Sequence, residues 1–402
     1  MKILWVKSDL LHPATRGGQI RTLEMLRRLR KRNLIHYVAF SNEPDGEGVR
    51  RSSEYCDRCY TIPKFIPPRA SWSFAVQLAA GLFSPLPLAV FRYKSAAMRR
   101  KLDELIAAEN YDSIVCDFPT PAPNFNRLQD CVLFQHNVET MIWQRHSAQA
   151  RNAVEKAYMR LQARRMAVFE GHVCRSVRHI IAVSGEDAAA MNRMFGVTNV
   201  SIIPTGVDVE HFTPSGAQAF IADLVFLGSM DWLPNIDGMR WFVEAVLPVI
   251  RRSRPKCSVA VVGRNPSGEI KSFAAKDPLI HVTGTVPDVR PWLWESHVSI
   301  VPLRIGGGTR IKIYESMAAR VPVVSTAIGA EGLDVHDRVD IRIADSPEKF
   351  AAACLELLDR PENRAAQANA AWDLVAGSFR WENIVRRFES ILDGSAGKRF
   401  RL

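Results

Sequence analysis

The chain is 402 residues long, which is enough for two domains of ordinary size. Its apolar content of 47% and charged content of 24% are typical of a globular enzyme and exclude a disordered chain. The formal net charge of +11 favours phosphate-bearing substrates or an anionic membrane face over nucleic acid, for which no reading motif is present.

Short apolar runs alternate with amphipathic stretches, which predicts βα units and parallel sheets. The strands predicted in the first half are KILWV, IHYVAF, SIVCDF, CVLFQHN and IIAVS. The helix IRTLEMLRRLRKR follows the first strand, and a long basic helix is expected from about Ala148 to Arg175. Ser184 is placed to cap the helix that follows the last of these strands.

A cluster of proline, glycine and serine in SIIPTGVDVEHFTPSGAQ marks a domain boundary. The strands predicted after it are LVFLGS, SVAVVGR, IHVTGTV, VSIVPL, VPVVST and VDIRIA. We therefore predict an α/β protein with one domain at 1–205 and a second at 206–378, separated by a cleft. A helix at 379–394 and a disordered tail at 395–402 follow.

The most apolar segment runs from Ala70 to Phe91, and polar residues and prolines interrupt it. It lacks the uninterrupted length that a membrane-spanning helix needs. Its composition favours helices in the core of the first domain over a contact with a membrane surface.

The loop LLHPATRGGQIRT lies between the first strand and the first helix. Ligands of parallel sheets bind at the carboxyl ends of strands, close to helix N-termini. Gly17 and Gly18 would let the backbone approach an anion, and Arg16 and Arg21 would add charge. An ordinary turn with a solvated arginine explains the loop equally well.

His136 and Asn137 stand at the end of the strand CVLFQHN. An imidazole there can donate to a sugar hydroxyl or accept a proton. The alternative is a histidine satisfied by a loop carbonyl.

In the second half, Gly228 and Ser229 begin the loop after the strand LVFLGS. Asn235 or Asp237 is expected to cap the next helix. Arg264 follows the strand SVAVVGR and either reaches a phosphate or is solvated.

The stretch RIGGGTRIKIYES joins a strand to a helix. Gly306, Gly307 and Gly308 would expose backbone N–H groups to an anion at the helix N-terminus. Arg310 and Lys312 lie two residues apart, so at most one of them should point at that anion. Glu315 suits the neutral hydroxyls of a diol, which together with a diphosphate describe a nucleotide sugar. The alternative is a Glu315 that pairs with a neighbouring arginine.

Over nearly its whole length the chain resembles GT-B glycosyltransferases of the family 4 type. The resemblance rests on the Gly-Gly loop, VSGED…IIPTGVDVEHFTP, FLGSMDWLPNIDG, VVGRNP, the stretch from VTGTVPDV to AIGAEGL, and FRWENIVRRFE. The family implies two Rossmann-like domains facing across a deep cleft, with the nucleotide sugar held mainly by the second and the acceptor by the first. It also implies transfer with retention of configuration and without an essential metal, and a final helix that crosses back to the first domain.

The family's E-x7-E motif matches at Glu315, which is implied to hold the ribose, whereas its first glutamate falls on Gly307. The resemblance thus predicts a subtype in which Gly-Gly-Gly-Thr-Arg replaces that glutamate. The arginine and lysine usual after LVFLGS are also missing, which moves the diphosphate contact to Arg310, Lys312 or Arg264. His136 matches the family's histidine near the donor sugar.

The predicted site residues fall into three groups. His136 and Gly307 are assigned to catalysis. Arg16, Arg21 and Asn137 are assigned to the acceptor side. The donor-binding set is Gly17, Gly18, Gly228, Ser229, Arg264, Thr285, Val286, Gly306, Gly308, Thr309, Arg310, Lys312 and Glu315.

The predicted function is a retaining, metal-independent hexosyltransferase. It would move a sugar from a UDP- or GDP-linked donor, without a cofactor, to a cell-surface polysaccharide or lipid-linked glycan. The expected location is cytoplasmic, with the inner membrane face as a further candidate partner and nucleic acid excluded. The alternatives are a nucleotide-sugar 2-epimerase on the same fold and a non-catalytic, nucleotide-sugar-binding homologue.

Overall fold

The computed structural model describes residues 1–14, 17–67, 71–148, 152–214, 221–305 and 310–394. The predicted site residues Arg16, Gly306, Gly307, Gly308 and Thr309 lie outside these ranges, as does the tail at 395–402. The chain divides into two compact units, one comprising Met1–Thr205 and the segment from Trp381 onward, the other Gly206–Arg380.

The described part of the first unit contains a seven-stranded parallel sheet in the order β3-β2-β1-β4-β5-β6-β7. Its strands are β1 (Lys2–Val6), β2 (Leu34–Phe40), β3 (Arg58–Ile62), β4 (Ser113–Asp117), β5 (Cys131–Phe134), β6 (His179–Ala182) and β7 (Val200–Ile202). The strand order changes direction between β1 and β4, which is where an open parallel sheet places its ligand site.

The connection between β4 and β5 contains only short 3₁₀ turns, and each of the other connections contains α-helices, as is usual between parallel strands. They are α1 (Gly17–Leu29), α2 (Glu47–Arg50), α3 (Trp72–Leu82), α4 (Leu88–Phe91), α5 (Ala96–Ala108), α6 (Glu139–Ala148), α7 (Ala153–Ser176) and α8 (Gly185–Phe195). Central strands such as β4 and β5 are buried at every position, which explains why β5 is apolar throughout and β4 is apolar from Ile114 to Cys116.

The second unit contains a six-stranded parallel sheet in the order β10-β9-β8-β11-β12-β13. Its strands are β8 (Ala222–Leu227), β9 (Val259–Val262), β10 (Ile280–Gly284), β11 (Ser296–Val301), β12 (Val323–Ser325) and β13 (Arg342–Ile343). Its helices are α9 (Val209–Phe212), α10 (Leu233–Trp241), α11 (Leu247–Ser253), α12 (Gly268–Lys276), α13 (Arg290–Trp294), α14 (Ile311–Ala318), α15 (Pro347–Asp359) and α16 (Pro361–Ser378). Here the order changes direction between β8 and β11.

The last helix, α17 (Trp381–Leu392), belongs to the first unit. Its apolar face is buried in the core around β1 and β5. The Phe388 ring lies 5.7 Å from that of Trp5 and 5.2 Å from that of Phe134, measured between centroids. These aromatic contacts fix the helix against the sheet.

The expected strands are all present, but two others were missed, β3 and β7. The long basic helix expected from about Ala148 to Arg175 corresponds to α7, which runs from Ala153 to Ser176. Ser184 caps α8 as expected by accepting from the Asp187 N–H at 3.1 Å. The capping role expected of Asn235 or Asp237 is wrong, because both lie inside α10.

The interpretation of the Ala70–Phe91 segment as core is wrong for α3. Trp72 is 83% exposed and Phe83, just after the helix, is 91% exposed. Phe74, Leu78 and Gly81, which share the opposite side of the helix, are the more buried positions. Within the described ranges, no helix has the length and apolar character needed to cross a membrane.

Candidate active site

Two glycines bring the loops after β8 and β9 together in the second unit. A Cβ added to Gly263 would lie 1.7 Å from the Gly228 carbonyl oxygen, so no other residue fits there without moving the backbone. A Cβ added to Gly228 would lie 2.8 Å from the Lys312 Nζ. The predicted donor-binding residues Gly228 and Lys312 are therefore in direct contact.

Lys312, in the first turn of α14, is half-buried. Its Nζ donates to the Asn235 Oδ1 at 3.1 Å and lies 4.4 Å from the centroid of the Phe226 ring. Burial, with repulsion from Arg310, lowers the pKa of Lys312 to about 7. Among the described residues no carboxylate forms an ion pair with this ammonium, so a bound anion would favour its charged form.

Glu315 lies three residues further along α14, and its side chain is half-buried. Burial raises the pKa of this carboxyl to about 7, although Lys312 acts in the opposite direction. Among the described residues, none donates a hydrogen bond to the Glu315 carboxylate. The alternative prediction was that Glu315 pairs with a neighbouring arginine. Among the described residues, no arginine forms such a pair.

The other two cations considered for the diphosphate have different surroundings. Arg310, just before α14, has a φ of 47° and a buried side chain whose Nη2 lies 3.6 Å from the Glu331 Oε2. Arg264 is half-buried and donates through Nε to the Ser229 Oγ at 2.7 Å. The cations beside the loop that begins at Gly228 are therefore Lys312 and Arg264, whereas Arg310 is engaged by Glu331.

Thr285 and Val286 follow β10, the edge strand of the second sheet. Thr285 is exposed, and Val286 packs against the apolar core. They lie at the carboxyl edge of the sheet to which Gly228 and Gly263 also belong.

In the first unit, a buried ion pair joins the carboxyl ends of β1 and β4. The Lys7 Nζ lies 2.8 Å from the Asp117 Oδ1. Asp117 also accepts from the Thr22 Oγ1 at 2.7 Å and from the Trp5 Nε1 at 2.9 Å. Its pKa is held below the usual range, because Lys7 and His136 outweigh the opposing effect of burial. Sequence analysis missed Lys7 and Asp117, although both stand at the carboxyl ends of predicted strands.

His136 belongs to the same cluster and is 1% exposed. Its Nε2 lies 2.8 Å from the Asp117 Oδ1, its Nδ1 lies 3.4 Å from an Arg21 nitrogen, and its ring stacks on Phe118 at 4.2 Å. Burial lowers the pKa of His136 to about 3 against the attraction of Asp117. The imidazole is therefore neutral and donates to Asp117.

The role of His136 as a donor to a sugar hydroxyl disagrees with this geometry, because the ring proton is already bound to Asp117. The alternative partner, a loop carbonyl, is also incorrect, since the acceptor is a carboxylate.

Arg21 was expected to supply acceptor-side charge, and this expectation is wrong. The side chain is fully buried, donates to the Gln135 carbonyl at 2.9 Å and to the Ile203 carbonyl, and lies 4.2 Å from the centroid of the Phe134 ring. Burial lowers the pKa of Arg21 to about 9. The guanidinium therefore holds the ends of β5 and β7 together.

Gly17 and Gly18 open α1, as the loop pattern indicated. A Cβ added to Gly18 would lie 3.0 Å from the Phe118 ring, so this glycine is needed for packing beside His136. Asn137 is half-buried after β5. Glu139, in the first turn of α6, is half-buried, and burial together with Glu170 raises its pKa to about 7. Glu139 is thus a titratable carboxyl at the carboxyl edge of this sheet that the site prediction omitted.

Comparison with known proteins identifies the family. The model for Glycosyltransferase Family 4 matches residues 15–211, and the model for Glycosyl transferases group 1 matches residues 222–360. The chain belongs to glycosyltransferase family 4. It is a glycosyltransferase with the GT-B fold, as its two parallel sheets also indicate.

The sequence identity to two curated relatives shows that the similarity is distant. A protein of Klebsiella pneumoniae described as an uncharacterized 44.6 kDa protein in the cps region is 20% identical over 95% of this chain and 96% of its own length. The D-inositol 3-phosphate glycosyltransferase of Geodermatophilus obscurus is 26% identical over 59% of this chain and 57% of its own length.

Solved structures share the fold at lower identity. Sucrose-phosphate synthase from Thermosynechococcus elongatus matches with a TM-score of 0.70 at 15% identity, over 99% of each chain. Anabaena HepE, solved with UDP and glucose, matches with a TM-score of 0.67 at 14% identity, over 98% of this chain and 100% of its own.

Proposed function

We propose that this glycosyltransferase moves a hexose from a nucleotide-diphospho-sugar to a cell-surface polysaccharide or lipid-linked glycan, with retention of anomeric configuration. The observation that carries the proposal is the Lys312–Glu315 pair on α14. Lys312 and Glu315 lie one turn apart on this helix. Among the described residues, no carboxylate pairs with the Lys312 ammonium and no group donates a hydrogen bond to the Glu315 carboxylate. A diphosphate next to a ribose diol satisfies both groups at once.

Each residue has a distinct task in this scheme. Lys312 and Arg264 bind the diphosphate, and Gly228 leaves room for its oxygens beside the Lys312 ammonium. When the bond between the sugar and the diphosphate breaks, negative charge grows on the leaving group. The two cations stabilise that charge, which is how the reaction proceeds without an essential metal. Glu315 accepts from the two ribose hydroxyls.

The family resemblance supports retention of configuration, and the named relatives support the donor class. HepE was solved with UDP and with UDP-glucose, which makes UDP a suitable probe. The acceptor proposal draws on the D-inositol 3-phosphate glycosyltransferase and on a related corynebacterial mannosyltransferase named for phosphatidylinositol monomannoside.

The test is calorimetric titration of UDP and 2′-deoxy-UDP into the wild type, Lys312→Met and Glu315→Gln. Lys312→Met is expected to weaken UDP binding at least about tenfold, because a charge-assisted contact to phosphate is lost. For Glu315→Gln, the difference in affinity between UDP and 2′-deoxy-UDP should shrink, since the group that accepts from the 2′-hydroxyl is changed.

The matched control is the exposed pair Glu348→Gln and Lys349→Met on α15, which should leave UDP binding unchanged. Full UDP affinity in both site variants would contradict the assignment. Nuclear magnetic resonance of UDP- and GDP-sugars without acceptor separates the alternatives, because inversion at the sugar C2 would identify an epimerase instead.

A further inference from the structure

The loop between β8 and α10 exposes two large apolar side chains at the carboxyl edge of the second sheet. Trp232 is 42% exposed and Leu233 is 52% exposed. The chain is buried on both sides of them, at Met230 and at Pro234. Because the neighbouring residues are anchored in the protein, the two side chains are held in contact with solvent by the fold of the loop.

Trp232 occupies a position at which other residue types are preferred. It is the N-cap of α10, and its side chain makes no capping hydrogen bond. Serine, threonine, aspartate and asparagine are favoured there, because their side chains accept from the free N–H groups of the first turn. The described apolar cores of the second unit do not include Trp232 either. A residue that departs from the local rules without a gain in packing is typical of a functional position.

Hydrogen bonds tie this loop to the loop after β9. Asp231 accepts from the Ser229 hydroxyl at 2.7 Å and from the Asn265 amide at 3.0 Å. The Met230 N–H donates to the Arg264 carbonyl at 2.9 Å. A loop that is already held in this way has little freedom left to lose when a ligand binds, so the exposed indole is a preorganised surface.

Asn235 joins the exposed indole to the lysine of the candidate active site. Its backbone N–H donates to the Trp232 carbonyl at 3.0 Å, and its side-chain Oδ1 accepts from the Lys312 Nζ at 3.1 Å. Its Nδ2 donates to the Ser229 carbonyl at 2.8 Å, and the residue is 2% exposed. No hydrogen bond joins Asn235 to Glu315 in the described part of the chain. Trp232 is therefore connected to the lysine of the pair and not to the carboxylate.

We propose that Trp232 is a stacking platform for a pyranose ring next to the diphosphate. The proposal rests on the proposed donor site around Lys312. One face of a pyranose presents C–H groups, which pack on the electron-rich face of an indole, while the hydroxyls at the rim of the ring stay free for polar contacts. The ring belongs either to the donor sugar or to the acceptor sugar. The nucleobase is disfavoured, because in a nucleotide sugar it lies beyond the ribose that Glu315 is proposed to hold.

The test is calorimetric titration of UDP and UDP-glucose into the wild type, Trp232→Ser and Trp232→Phe. If the ring is that of the donor, Trp232→Ser should bind UDP like the wild type and UDP-glucose about tenfold more weakly, because the stacking surface is lost. Trp232→Phe keeps an aromatic face and should lose less affinity. The matched control Trp72→Ser removes an exposed tryptophan of the first unit and should bind both ligands like the wild type.

Serine at position 232 also provides a check on folding. It is a preferred N-cap residue, so Trp232→Ser should melt at a temperature equal to or above that of the wild type. A weaker affinity for UDP-glucose in a protein of undiminished thermal stability therefore reports the loss of the ring contact.

The acceptor is tested separately with an array of neutral glycans, probed in the presence of UDP. If the ring is that of the acceptor, Trp232→Ser should lose the glycan signals of the wild type and keep its affinity for UDP-glucose. Trp72→Ser should again behave like the wild type on this array.

Three results separate the proposal from its alternatives. A Trp232→Ser variant that matches the wild type for UDP-glucose and on the glycan array overturns the proposal. An equal loss of affinity for UDP and UDP-glucose also overturns it, because the base or the diphosphate would then contact the indole. Failure of the proposed donor site is distinguishable, since the wild type would then bind UDP no better than Lys312→Met does.

Discussion

Replacing Lys7 with methionine should strongly destabilise the first unit. The Lys7 side chain is 3% exposed and the Asp117 side chain 0% exposed, so neither charge is solvated. Methionine keeps most of the volume but leaves the carboxylate with three donors and no adjacent lysine. Removing one partner of a buried ion pair lowers the free energy of unfolding by about 3–5 kcal/mol. Because three donors remain, we expect a loss of about 3 kcal/mol.

The assay is urea unfolding of wild type and variants, followed by far-ultraviolet circular dichroism. The matched control is Lys2→Met, which removes the partly exposed pair with Glu109 and should lower the free energy of unfolding by less than about 1 kcal/mol. Lys7→Met/Asp117→Asn should recover part of the loss, because both charges are then gone. The reasoning is refuted if Lys7→Met costs no more than Lys2→Met, or if the double variant recovers nothing.

Three further predictions follow from the described geometry. Gly263→Ala should unfold at a lower temperature and lose UDP binding, because the added Cβ would collide with the Gly228 carbonyl. In the control Gly268→Ala the added Cβ has no neighbour within 4 Å, so this variant should match the wild type in both measurements. UDP affinity should fall between about pH 6 and about pH 8, because Lys312 loses its proton in this range. Calorimetry should show a smaller fall for Lys312→Arg, since arginine stays charged. An equal fall in affinity for the wild type and Lys312→Arg would contradict this explanation. The folded-state pKa of His136, about 3, lies below its unfolded value near 6.5, so the folded protein binds fewer protons there. The free energy of unfolding measured in urea should therefore fall as the pH drops from about 6.5 towards 3. His136→Gln should make this dependence on pH weaker. An unchanged dependence in the variant would show that His136 is not its cause.

The alternation of apolar runs was sufficient to predict two parallel α/β units, because strands that are buried on both faces must consist mainly of apolar residues. It could not predict which strands are neighbours. β1 and β4 pair although more than 100 residues separate them, and this pairing brings Lys7 to Asp117. The cluster that determines the state of His136 was therefore missed.

Two other errors have local causes. Arg21 was expected at a ligand, yet it lies four residues before Met25 and eight before Leu29, on the buried side of α1. The uncharged sequence of α3 predicted core, because composition cannot distinguish a helix that faces other protein from one whose outer side is exposed. By contrast, Lys312 and Glu315 could be predicted, since their spacing on one helix is set by the sequence.

The position of α17 has a consequence for synthesis of the protein on the ribosome. The second unit is a single uninterrupted segment, Gly206–Arg380, and can fold as soon as it has emerged. The core around Trp5 and Phe134 lacks Phe388 until α17 follows. During that interval the earlier segment of the first unit would present an uncovered apolar surface to chaperones. A released chain truncated after Arg380 should accordingly contain a protease-resistant second unit and a protease-sensitive first one.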